Sequence, residues 1–312
     1  MPPPERSTRR PLDAQALARI LRRLNGAATA PWLHGEVARR MAERLAVIKL
    51  QPQAIADWPA FTGASRSRLE SAYPAATLLA VEPDAARREA TAAALARPWW
   101  SPGRWRHGTA RVLAPEQLGA GEVQLLWSNM ALHFAADPQQ LFAAWHRALA
   151  VDGFLMYSTL GPGTLTTLRS LYAAQGWGEP FAPFVDMHDL GDMLVAAGFA
   201  DPVMDQETLT LTWQDAGRAL DELRALGGNM AAARTPGLRT PRWRQRLLDA
   251  LSARLAQRAD GRIALEFEIV YGHAFRPLPR PRVAAETALP LDDLRAMVRA
   301  PRPVKPGGPG GA

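Results

Sequence analysis

The chain of 312 residues contains no cysteine, which excludes disulfides, thiolate nucleophiles and thiolate metal sites. Lysine is nearly absent as well: only Lys49 and Lys305 occur, so the net charge of +7 is carried almost wholly by arginine. With alanine so abundant, that excess reads as compositional bias of the source as much as a selected basic face. The share that is not bias points to an acidic partner: nucleic acid, an anionic lipid surface or an acidic carrier protein. No uninterrupted apolar run approaches the roughly 20 residues that span a bilayer. The first 30 residues carry charges throughout and lack a signal-peptide core. A cytoplasmic enzyme or binding protein is expected, without a membrane partner. Six histidines (His34, His107, His133, His146, His188 and His273) are scattered without ligand spacing, so no metal site is expected. Neither a G-x-S-x-G elbow nor a P-loop occurs.

What is present is an alternation of short apolar segments and helical spacings. ATLLAV (76–81), EVQLLWS (122–128), GFLMYST (153–159), ETLTLTW (207–213) and ALEFEIVYGHAF (264–275) read as strands, and Ala54–Asp57 as a shorter first one. Helical spacing marks 35–45, 67–73, 83–96, 138–150 and 188–199. That order predicts a doubly wound, mostly parallel α/β sheet, with the long last strand closing it as an antiparallel hairpin. The body is expected over 13–276, between a proline- and arginine-rich segment (1–12) and a Pro/Gly/Arg-rich segment (277–312) in which 291–300 could form a short helix. The stretches from 165 to 207 and from 213 to 264 exceed what a crossover needs and are candidate lids.

Ligands of such sheets collect at the carboxyl ends of the strands. After the first strand, in IADWPAFTG (55–63), only Gly63 offers a backbone free of Cβ for close approach to a cofactor. Glu82, closing the second strand, is spaced to accept hydrogen bonds from ribose hydroxyls or to charge the next helix start favourably. Ser128 and Asn129 follow the fourth strand, where they could line a pocket or cap a turn, and His133 reads as a packed residue. The fifth strand runs into STLGPGT (158–164), a glycine-proline loop flanked by hydroxyls.

Several segments resemble, in order, the malonyl-acyl-carrier-protein O-methyltransferase family of biotin synthesis: IKLQP (48–52), LLWSNMALHF (125–134), YSTLGPGTLTTLR (157–169), FVDMHDLGDMLVAAGF (184–199), PVMDQETLTLTW (202–213), GGNM (227–230) and EIVYGHAF (268–275). The resemblance covers about residues 30–276. It implies the class I S-adenosylmethionine-dependent methyltransferase fold, a Rossmann-like seven-stranded sheet with the last strand antiparallel and helical lid insertions. It also implies methyl transfer from S-adenosylmethionine to the free carboxylate of a malonyl thioester, with an acyl carrier protein carrying malonyl as partner. By the same resemblance Asp57, Gly63 and Glu82 would contact the cofactor, Ser128 and Asn129 the reacting groups, and Thr159, Gly161, Gly163 and Arg169 the substrate. Arg234 is a second candidate to pair the carboxylate.

The family's first motif resembles V-L-D-x-G-C-G-T-G, and this chain departs from it. Asp57, Thr62 and Gly63 match, whereas Pro59 and Phe61 stand where glycines are usual. Proline removes an N–H and fixes φ, and phenylalanine puts a ring where the backbone should meet the cofactor. The acid usual toward the adenine is sought at Gly108–Arg111 and is missing there. Two readings stay open: a working methyltransferase with a rebuilt loop, Trp58 and Phe61 packing on the cofactor, or a family member that keeps the carrier-facing surface without S-adenosylmethionine. A nucleic-acid methyltransferase would want a proline pair after the Asn of SNMALHF, which is absent.

Overall fold

Strand segments that are apolar on both faces can be satisfied only inside a sheet covered on both sides. In the computed structural model, which describes residues 9–96, 111–235, 239–255 and 261–278, β5 (Leu149–Leu160) is such a segment. Phe154 through Thr159 are buried without a break. Beside it run β4 (Val123–Ser128), β1 (Ala54–Asp57), β2 (Thr77–Val81) and β3 (Arg111–Leu113), all parallel. On its other side β7 (Ile263–Phe275) is antiparallel to both β5 and β6 (Ala200–Trp213). The order β3-β2-β1-β4-β5-β7-β6 is the seven-stranded, last-strand-antiparallel sheet expected from the sequence.

Two layers of helices cover it. On one face α2 (Trp32–Glu43), α4 (Arg66–Ala72), α7 (Thr166–Ala174), α9 (Ala216–Leu226) and α10 (Pro241–Leu255) contribute Val37, Met41, Leu69, Leu168, Ala219, Leu247 and Leu251 to one core. On the other, α6 (Pro138–Ala148) and α8 (Met187–Ala196) bring Phe142, Trp145, Leu190 and Leu194 against β4 and β5. The short α3 (Ala60–Gly63) follows β1, and α5 (Ala85–Leu95) follows β2. Asp84, Asp137, Asp186 and Asp215 each cap a helix with a side-chain oxygen on a backbone N–H.

Some boundaries differ from the expectation. β6 begins at Ala200, not 207, so α8 is an ordinary crossover helix packed on the sheet by Leu190 and Leu194. The second long stretch folds into α9 and α10, also a layer on the sheet. β3 had no counterpart among the expected strands, nor did α1 (Ala14–Asn25) among the helices. α1 is capped by Asp13, and its stripe Ala16–Ile20–Leu24 packs on Ala182, Met230 and Ala231 in a separate small cluster. Packing starts before residue 13. The Arg10 guanidinium is buried and donates to the carbonyl oxygens of His133, Ala135 (3.4 Å) and Pro183 (2.7 Å). Arg10 thereby latches the N-terminal segment onto the loops after β4 and before α8. The body extends to Leu278, and the expected helix at 291–300 lies outside the described residues.

Candidate active site

Strand order reverses where β1 has β2 on one side and β4 on the other, which opens a crevice beyond their carboxyl ends. A cavity of about 970 Å³ lies there. Its walls are Trp58 and Pro59 after β1, Pro83 and Asp84 after β2, Pro115 and Glu116 after β3, and Ala131 after β4, with Leu21, Leu24 and Asn25 of α1 as roof. That volume suits a ligand the size of a nucleoside with a side arm.

Two acids lie behind the floor. Asp57 is 2 % exposed, and neither carboxylate oxygen has a hydrogen-bond partner among the described residues. Burial first, and then the charge of Glu82, push its pKa well above the ordinary range. Glu82 is fully buried. Its Oε1 accepts the Phe61 N–H (2.7 Å) and the Thr91 hydroxyl (3.1 Å), while Oε2 is unpartnered among the described residues. Burial raises this pKa too. The Phe61 ring is turned onto the Arg87 guanidinium, 3.6 Å from its centroid, and Arg87 donates to the carbonyls of Asn25 and Ala27 (2.9 Å). The residue that replaces a glycine is therefore held by α5 and by the connection after α1. A Cβ built on Gly63 would sit 3.7 Å from Asp57 Oδ1 and from the Asn129 carbonyl, ordinary contact distances.

Beyond β4, Ser128 Oγ is buried and unpartnered among the described residues, whereas Asn129 is fully engaged. Its Nδ2 donates to the carbonyls of His34 (2.7 Å) and Gly63 (2.6 Å), and its Oδ1 accepts the Ser158 hydroxyl (2.7 Å). Asn129 thus ties together α2, α3, β4 and β5. Thr159 is buried at the end of β5. Gly161 and Gly163 make room for Glu268, whose carboxylate oxygens would lie 2.0 and 2.3 Å from a Cβ added at the two positions. Both arginines expected from the sequence to pair a carboxylate already have partners: Arg169 stacks on Phe181 (4.7 Å) near Glu179 (3.9 Å), and Arg234 pairs with Asp13 (2.5 Å).

The sequence offers no acid at Gly108–Arg111, and the acids that line the cavity lie elsewhere. Gly108–Ala110 lie outside the described residues, and Arg111 opens β3, so the positions at the strand's carboxyl end are Ala114–Gln117. Glu116 lines the cavity there and Asp84 does so after β2. Knowing where β3 ends was the missing signal.

Two buried histidines stand beside the site. His34 donates Nδ1–H to the Thr62 carbonyl (2.7 Å), and His133, enclosed by the rings of Phe134, Phe184 and His34, is packed as expected. Burial lowers the His34 pKa to about 4 and that of His133 well below normal. An unfolded histidine titrates near 6.5, so each contributes stability above that value that is lost as pH falls toward the folded pKa. Asp57 and Glu82, shifted upward, work in the opposite direction. The clean observable is therefore a difference. The stability gap between wild type and His34→Gln, read from urea midpoints, should move in the variant's favour between about pH 6.5 and 4. A pH-independent gap would contradict the buried neutral ring.

Residues 60–157 match the family described as a methyltransferase domain. The chain is 38% identical over 252 residues to the malonyl-acyl-carrier-protein O-methyltransferase of Gallionella capsiferriformans, covering 80% of this chain and 85% of that one. It is 39% identical over 261 residues to its namesake in Laribacter hongkongensis, covering 80% and 84%. The chain belongs to the malonyl-acyl-carrier-protein O-methyltransferase family. A Bacillus halodurans chain solved as a candidate methyltransferase superposes with a TM-score of 0.50 at 11% identity, covering 78% of this chain and 100% of that one, which agrees on the fold. In this methyltransferase-family chain, Pro59 and Phe61 follow an intact β1 that ends in Asp57, and Pro59 lines the crevice beyond it.

The site fits an S-adenosylmethionine-sized cofactor in place, volume and unmet acceptors. Among the described residues, Asp57, Glu82 and Ser128 hold buried oxygens without hydrogen-bond partners at the ends of three adjacent strands. Buried acceptors want donors, and an ammonium group and ribose hydroxyls are donors.

Proposed function

We propose that the chain methylates the free carboxylate of a malonyl thioester held on an acyl carrier protein, using S-adenosylmethionine, as a step of biotin synthesis. The observation that carries this reading is the 970 Å³ cavity at the strand-order reversal of a chain in this family. S-adenosylmethionine, when bound, supplies an electrophilic methyl on a sulfonium. The chain's own work is then positional. A malonyl carboxylate is already ionised at neutral pH, so no residue need remove a proton. What is needed is alignment and exclusion of water. α1 roofs the cavity, Asn129 fixes the loop after β4 against α2 and α3, and Ser128 and Thr159 are buried at the ends of β4 and β5. Asp57, Glu82 and Gly63 are the proposed cofactor positions. Arg169 is proposed to hold the segment around Glu179 and Phe181, near which the substrate would pass.

A second reading, a family member that binds the carrier without transferring methyl, draws on the Phe61 N–H already seated on Glu82. One experiment separates them. Purified chain, S-adenosylmethionine and malonyl-carrier are incubated, and the carrier's mass is read for one added methyl. Methylated carrier supports the first reading, and an unmodified carrier that still binds supports the second.

The loop itself predicts a further result. In a Pro59→Gly/Phe61→Gly variant the clamp under Arg87 is gone, so the affinity for S-adenosylhomocysteine should rise roughly tenfold while apo stability falls by about 1–2 kcal/mol. Titration calorimetry with thermal unfolding checks both. An unchanged affinity would show that the two side chains do not obstruct the site.

A further inference from the structure

A second cavity of about 870 Å³ lies on the other side of α1 and has no part in the site described so far. Leu24 lines both cavities, which makes α1 the wall between them. The second is built from the connection between α1 and α2, the end of β6 at Thr212 and Trp213, and α9. Because β5 and β6 are both antiparallel to β7, they are parallel to each other, and Trp213 stands on the same edge of the sheet as the ends of β4 and β5. The two cavities therefore open side by side on one edge.

The second cavity's chemistry differs from the first's. Arg23, Arg218 and Arg262 line it, with Asp221 and Glu222 as its acids. Glu222 is engaged by the Trp32 indole N–H. Arg23 is held not by a carboxylate but by the carbonyl oxygens of Arg224 (2.8 Å) and Gly227, with the Arg224 charge close enough to lower its pKa alongside burial. Arg218 pairs with Asp215 (3.8 Å), whereas Arg23, fixed among carbonyls and next to another cation, keeps its charge for an incoming anion. Two indoles, Trp213 and the half-exposed Trp32, supply apolar surface between the arginines. The space is too small for a protein domain, and its mix suits a long, thin ligand with a phosphodiester and an amide chain.

We propose that this cavity takes the phosphopantetheinyl arm of the malonyl thioester, its phosphodiester at Arg23 and Arg218 and its amide chain along Trp32 and Trp213, with the malonyl end passing Leu24 into the first cavity. The inference rests on the malonyl-thioester reading above and gives its substrate a route. Free coenzyme A and a carrier protein both present this arm.

The test compares three methyl acceptors: malonyl-carrier, malonyl-coenzyme A, and the malonyl thioester of N-acetylcysteamine, which ends before the phosphate. In Arg218→Gln, which alters an exposed side chain, the ratio of kcat/KM for the phosphate-bearing acceptors over the truncated one should fall about tenfold. Arg23→Gln should do so more strongly. Titration of coenzyme A without methyl donor should show the same loss of affinity. Ratios and coenzyme A affinity unchanged in both variants overturn the inference and leave the methyl-transfer reading standing, as does a loss confined to the carrier, which would place the contact on the carrier's surface. If no thioester is methylated while coenzyme A still binds through Arg218, the methyl-transfer reading fails and the site survives.

Discussion

Asn129→Ala is expected to lower the unfolding free energy by about 3 kcal/mol, with the loss visible before any assay of activity. The side chain makes three hydrogen bonds at 2.6–2.7 Å in a fully enclosed position, and alanine replaces them with a void. Lost buried hydrogen bonds and an unfilled cavity add in one direction. The carbonyls left behind are not all orphaned, because the Gly63 oxygen keeps the Ser65 hydroxyl (2.9 Å), and this holds the estimate near 3 rather than above it. Asn129→Asp should be at least as damaging, since a carboxylate has no donor for either carbonyl. Urea unfolding measures both. If Asn129→Ala were as stable as wild type to within about 0.5 kcal/mol and yet inactive, the residue's role would lie in chemistry and not in holding α2, α3 and β5 together.

Asp57→Asn should do the reverse, raising apo stability by about 2 kcal/mol at neutral pH while weakening S-adenosylhomocysteine binding at least tenfold. The acid sits 2 % exposed beside Glu82 with both oxygens unpartnered among the described residues, a costly place for charge. An amide of the same shape removes that penalty and, with it, the charge that would hold the cofactor's ammonium. The sign with pH is fixed. A folded pKa above the unfolded value means the native state takes up a proton first, so wild type gains stability as pH falls from its raised pKa toward 3.8, and the gap to the variant closes. Thermal unfolding across that range, paired with calorimetric titration, decides it. A destabilised Asp57→Asn would mean the carboxylate is satisfied in the native protein.

The sequence carried the sheet because burial on both faces leaves a continuous apolar run, as in LLW and FLMY, and such runs are hard to mistake. It carried β3 poorly because Arg111–Leu113 is three residues long and only partly buried, so no pattern exists to read. The first half of β6 escaped for another reason. As an edge strand it alternates exposed and half-buried positions through Asp201, Pro202 and Asp205, which resemble a loop. α1 offered its Ala16–Ile20–Leu24 stripe, but the stripe meets a small cluster of late residues and not the sheet. At the candidate site, Asp57, Glu82, Ser128 and Asn129 could be put forward because ligands of such sheets collect at strand ends. Their individual duties were not, since these depend on His34, Phe61, Thr91 and Ser158, neighbours made by the fold and not by the sequence order.

The latch formed by Arg10 has a consequence for how the chain is made. Arg10 leaves the ribosome ahead of its partners, for the carbonyls it binds belong to His133, Ala135 and Pro183, the last of them 173 positions downstream. Until His133 and Ala135 have been made this arginine lacks these partners, its third carbonyl comes only with Pro183, and α1 waits longer still for Met230 and Ala231. The roof of the crevice is therefore synthesised before the residues that it packs on, and it settles after them. Such late, long-range closure is slow to form. It leaves the nascent protein an open-topped sheet whose crevice is completed only once Met230 and Ala231 have emerged.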